Sequence, residues 1–265
     1  MTGGGVLGRI AYGPPAGRAS DFLCHWLHEE GFATLALSYP IATRGVFDVA
    51  FPRFSITDWA EQSAEIIARH VDGNGLAGNV IVLGWSMGGR IAEPLQAALR
   101  RRDKSIELFV AMAAATALPD ILPGLNGLQP AASGLASIRG AYLDWLLLCL
   151  ADQNRMAGRV VLDAETFTTE MTGDFPIGLA ASAMRFRDGT FVHDAADDAR
   201  EVGASRYGSF PPLALMTHAS PLDARHALTD RATWGVFITQ QLCETHVFPQ
   251  ASHLSALAPE RWAAL

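Results

Sequence analysis

The sequence predicts an α/β fold: a reduced, mostly parallel sheet of about six strands with helices on both faces and a helical insertion. Two observations carry this reading. Strand-length apolar runs alternate with helical patterns along most of the 265 residues. Within that alternation, residues 79–102, NVIVLGWSMGGRIAEPLQAALRRR, spell a strand, a tight turn and a helix with Ser86 at the apex. Taking the elements in order, apolar runs predict strands at 6–12, 33–38, 79–83, 107–113, 213–217 and 243–248.

Helices are expected at 20–30, 57–71, 88–102, 223–234 and 259–265. The second has a start signal, since Ser55 or Thr57 can cap it and Asp58 and Glu61 lie in its first turn. The third carries an apolar stripe at Ile91, Leu95 and Leu99. From 114 to 210 the alternation stops. Pro119, Pro123, Gly124, Gly127 and Pro130 break the chain there. A strongly apolar helix follows at 141–157, apolar around nearly its whole circumference and so expected to be buried on several sides, and shorter pieces lie at 163–171 and 175–184. A structureless loop of that length is uncommon, so a helical lid, 114–210, is expected on a core formed by 1–113 and 211–265.

With 49% hydrophobic and 18% charged residues the chain can bury a large core. Its net charge of −7 argues against a nucleic-acid surface, which draws affinity from clustered cations. Arg100, Arg101, Arg102 and Lys104 form the one dense basic patch. Cations at a helix C-terminus are favoured by the helix dipole and need no partner. Cys24, Cys149 and Cys243 lie far apart without metal-ligand spacing, so reduced, buried thiols are expected, and neither a metal nor a cofactor. No signal sequence or membrane-spanning run is visible, so the expected location is cytoplasmic, away from any membrane.

The turn around Ser86 reads Gly84-Trp85-Ser86-Met87-Gly88. This GxSxG pattern suits a nucleophile whose strained backbone leaves no room for a Cβ on its neighbours, and the following helix presents the Met87 N–H to an oxyanion. A serine needs a base, and the base an orienting acid. His253, just beyond the last expected strand, is the candidate base. Asp223 and Asp230 follow the preceding strand, Asp223 nearer its end, and Asp120 follows the strand at 107–113. His218 and His226 flank the acids, but two histidines without a carboxylate at ligand spacing make a weak metal site. In the loop Gly13-Pro14-Pro15-Ala16-Gly17 the prolines have no N–H, which leaves Ala16 as second oxyanion donor, with Gly17 as alternative.

These residues resemble the α/β-hydrolase superfamily, and within it the type II thioesterases of polyketide and nonribosomal peptide pathways. Pro15-Ala16-Gly17 with Ala19, Phe22 and Trp26 is similar to that family's oxyanion segment. Tyr39-Pro40 with Arg44-Gly45 is similar to its loop after the second strand, and Trp234 falls where the family often carries a tryptophan. The resemblance implies the order Ser86, Asp223, His253 for nucleophile, acid and base. The chain departs from it in having Trp85 where the family usually has histidine, as some carboxylesterases do. The loop 217–221 also lacks the usual glycine pair, and the insertion is longer.

The activity so implied is cleavage or transfer of an acyl group from a thioester, held by coenzyme A or an acyl or peptidyl carrier protein. Trp85, Tyr142, Trp145, Leu147 and Phe167 are expected to contact the acyl chain. The alternatives are a carboxylesterase or lactonase, or an acyltransferase or cyclase in which a nucleophile other than water resolves the acyl-enzyme.

Overall fold

A computed structural model describes residues 1–76, 80–121 and 127–244. Its helices are α1 (Leu23–Glu29), α2 (Ile56–Gly73), α3 (Ala92–Arg100), α4 (Ala141–Met156), the single turn α5 (Ala164–Thr166), α6 (Ala195–Glu201) and α7 (Ala224–Glu244). Its strands are β1 (Val80–Trp85), β2 (Ile106–Met112), β3 (Met184–Arg187), β4 (Thr190–His193) and β5 (Leu213–Met216). Among the described residues the main sheet has three parallel strands in the order β1-β2-β5, and β3 and β4 form a separate antiparallel hairpin. Trp85 pairs with Met112 and Met112 with Met216, so all three strands end at one level. Whatever follows β1 and β5 therefore shares one edge of the sheet.

Helix α2 starts as its sequence dictates. Ser55 accepts the Asp58 N–H while the Asp58 carboxylate takes the Ser55 N–H, a reciprocal capping box. Its buried face, with Ile56, Trp59, Ala64 and Ile67, packs on α3, whose Leu95 and Leu99 are fully buried. At the far end of α3, Arg101 pairs with Glu61, Arg102 with Glu61 and Glu65, and Lys104 with Asp72. The basic patch thus fastens the β2 approach to α2.

Several expected elements differ. Residues 6–12 are not a strand: Gly8–Ala11 is a turn of 3-10 helix, and Val6 bridges Thr172 instead. Residues 33–38 form no ladder, and Ala36 lies instead against Gly8. The first stretch packs on 171–173, since Leu7 N–H bonds Met171 O and Val6 bridges Thr172, and it meets the second where Gly8 N–H bonds Ser38 Oγ. Cys243 and Glu244 end α7 and are not in a strand; 245–248 and 259–265 lie outside the described residues. Residues 175–184 hold a 3-10 turn, Ile177–Leu179, and the start of β3 in place of a helix.

Helix α4 is present, but only Leu146 on it is buried and Leu148 is exposed. Its apolar surface covers a small second core of Leu146, Leu162, Phe167 and Met171 and leaves the opposite side in water. The thiols are not buried either: Cys24 and Cys149 are intermediate and Cys243 is exposed. No helix among the described residues is long and apolar enough to cross a membrane.

Candidate active site

The turn after β1 has the backbone its sequence implies. Ser86 has φ +52°, a left-handed conformation that non-glycine residues seldom adopt and that marks strain held by the surrounding structure. Two hydrogen bonds clamp it: Ser86 N–H donates to Ala113 O at 3.1 Å and Ala115 N–H donates to Ser86 O at 2.9 Å. Gly84 is required by contact, because a Cβ there would lie 2.4 Å from the Phe109 ring and 2.9 Å from Gly88 O. Trp234 backs the turn from α7 and donates its Nε1–H to Ala114 O at 2.6 Å.

A 3-10 segment, Ser86–Ile91, leads into α3, so the first turn of the helix is tighter than expected. The first N–H groups of such a segment have no intrahelical acceptor. That of Ser86 goes to Ala113, and that of Met87 is next, at the dipole's positive end. Over the serine lies the glycine run Gly3-Gly4-Gly5. A Cβ on Gly3 would approach Ser86 Oγ to 3.3 Å, and the run is tied down by Tyr39 Oη–H to Gly3 O at 2.6 Å and Tyr142 Oη–H to Gly4 O at 2.9 Å.

Asp223 ends the short 3-10 turn Pro221–Asp223 after β5. Two strand spacings separate β1 from β5, about 10 Å. Burial, with Asp223 adding to it, raises the proton affinity of the Tyr142 hydroxyl, which donates to Gly4 O. Burial pushes the Asp223 carboxyl above the ordinary carboxylate range, with Asp230 adding to the shift while His226 and His218 oppose it. His218 Nε2 lies 3.2 Å from Asp223 Oδ2, and His226 Nδ1 lies 2.7 Å from Asp230 Oδ2. Burial raises the proton affinity of Asp230 as well. At His226 burial works against the charged ring, yet Asp230 and Asp223 outweigh it and its affinity rises.

Asp120, the other acid considered, pairs with His193 of β4 at 2.6 Å on the surface. His253 lies outside the described residues. Ala16 is exposed, in the loop where Gly17 N–H bonds Pro14 O.

Of the five residues expected to contact substrate, Trp85 lines an apolar cavity of about 730 Å³ between the side of β1 away from β2 and residues 31–37. Tyr142, Trp145 and Leu147 instead pack on the small core that contains Phe167. Sequence reasoning missed the polar support behind the turn. Arg90, four residues after Ser86, is fully buried against Asp198 of α6, and Glu93 holds Arg206. An arginine next to the apolar stripe of α3 was the available signal.

The model of the Alpha/beta hydrolase family matches residues 8–265, nearly the whole chain. The chain belongs to that family, a family of enzymes that are typically hydrolases. A search of curated proteins finds no match.

Proposed function

We propose that the protein is a serine hydrolase acting on an acyl thioester carried by coenzyme A or a carrier protein. Residues 114–210 serve as a lid on a core of 1–113 and 211–265. The observation that carries the reading is the left-handed backbone of Ser86 at a strand-to-helix turn, clamped by Ala113 and Ala115. Such a turn lifts the hydroxyl out of the sheet beside unpaired N–H groups. Ser86 Oγ attacks the acyl carbonyl as His253 takes its proton; Asp223 orients His253, and the Met87 and Ala16 N–H groups stabilise the oxyanion. The leaving thiolate takes the proton from His253. Water, deprotonated by the same histidine, then releases the acid and frees Ser86.

The cavity flanked by Trp85 offers apolar room for an acyl chain, and the resemblance to type II thioesterases favours a thioester over an ester. Trp85 in place of histidine supports the second reading, a carboxylesterase. Matched acyl chains presented as pantetheine thioesters and as methyl or aryl esters separate the two. A higher kcat/KM for the thioester is expected, and a clear preference for the oxygen ester overturns the thioesterase assignment.

A further inference from the structure

We propose that His218, Asp223 and His226 form a binding site for a divalent transition-metal ion of the zinc type. One ligand atom from each of the three lies within 4.8 Å of the other two. Their placement follows from local structure. His218 sits in the turn leaving β5, Asp223 closes the 3-10 turn, and His226 follows three residues later in the first turn of α7. Sequence spacing gave no reason to group them, because the carboxylate between the histidines reaches ligand distance only when the chain reverses after β5.

His218 Nε2, His226 Nδ1 and Asp230 Oδ2 are buried, and the two ring nitrogens face carboxylates, Asp223 at 3.2 Å and Asp230 at 2.7 Å. Asp230 is 1% exposed. Two imidazoles and two carboxylates are thus packed together out of water, where each polar atom needs a partner. A cation held by His218, Asp223 and His226 would supply such a partner.

Two imidazoles and one carboxylate suit zinc and its first-row neighbours, whereas calcium and magnesium prefer oxygen alone. Asp230, one helical turn beyond His226, stands where metal sites place the outer carboxylate that holds a histidine by one nitrogen and turns the other to the ion. On binding, metal–nitrogen bonds form at the histidine lone pairs. His218 now accepts the Ser220 N–H at Nδ1 over 3.2 Å. That long contact gives way as the ring proton moves from Nε2 to Nδ1, and any proton on His226 leaves to solvent. A metal on Asp223 withdraws that carboxylate from His253, so occupancy inhibits the enzyme; this consequence alone rests on the proposed triad.

The test uses the full chain carrying Ser86→Ala, stripped with chelator and titrated calorimetrically with zinc chloride, so that binding is read independently of catalysis. One saturable site is expected. His218→Ala or His226→Ala should abolish it, and Asp230→Asn should weaken it by about 10–100-fold. Cobalt(II) should show ligand-field absorption that is lost in the same variants. Circular dichroism checks their fold, and His218→Asn, at a partly exposed position, guards against failure of the buried variants. Absence of saturable binding, or undiminished binding in folded His218→Asn and His226→Ala proteins, overturns the site.

Discussion

Arg90 Nη2 lies 2.6 Å from Asp198 Oδ1, with both side chains fully buried. The pair ties the segment that follows Ser86 to α6. Asp198 Oδ1 also accepts Arg185 Nη1 at 2.9 Å, and Arg185 continues to Glu201 at 2.7 Å. A buried pair need not outweigh its desolvation, but removing one partner strands the other. Asp198→Ala is expected to cost about 3–5 kcal/mol in urea unfolding and more than Arg90→Met, because it strands the fully buried Arg90 and takes one of three carboxylate partners from Arg185. Equal losses would mean that Arg185 does not depend on Asp198.

Trp234 tests the support behind the turn. Trp234→Phe removes the donor to Ala114 O and leaves that carbonyl unsatisfied, a loss of about 1–3 kcal/mol. If the bond also fixes the turn, labelling of Ser86 by a reactive phosphonate slows in the same variant. An unchanged melting temperature would contradict the contact.

His226 gives a pH signature. Asp230 and Asp223 hold its proton affinity above that of the unfolded chain, so its contribution to stability is complete below the ordinary histidine pKa and is lost as pH rises through the folded value. The melting temperature should fall as pH is raised from about 6 through neutrality, and His226→Gln should remove that component. A flat profile in the parent protein would refute it.

The basic patch is expected to be structural. Arg101→Gln breaks an exposed pair with Glu61, should change stability by less than about 1 kcal/mol, and should leave KM for a carrier-bound thioester unaltered. A large rise in that KM would make the patch a docking site.

What the sequence revealed depended on how local the cause was. The stretch around Ser86 was legible because β-branched residues, close-packed glycines and an amphipathic helix are neighbours in the chain. The α2 cap was legible for the same reason. Residues 6–12 and 33–38 have strand-like composition, but their partners are the backbone at 171–173 and each other, which periodicity does not report. Helix α4 is apolar all round yet exposes Leu148, since composition does not say which side meets a partner. At the candidate site, Ser86 and Asp223 come to one sheet edge through the register of β1, β2 and β5. The approach of His218 to Asp223 and His226 arises only from the chain reversal after β5.

The central claim is that Ser86 is the nucleophile, and covalent labelling tests it most directly. After reaction with a fluorophosphonate, peptide mass spectrometry should find one equivalent on the Ser86 peptide. Ser86→Ala should abolish the adduct, His253→Ala should suppress it, and either change should lower kcat by about three to six orders of magnitude. An adduct on another residue, or hydrolysis undiminished in Ser86→Ala, would contradict the account.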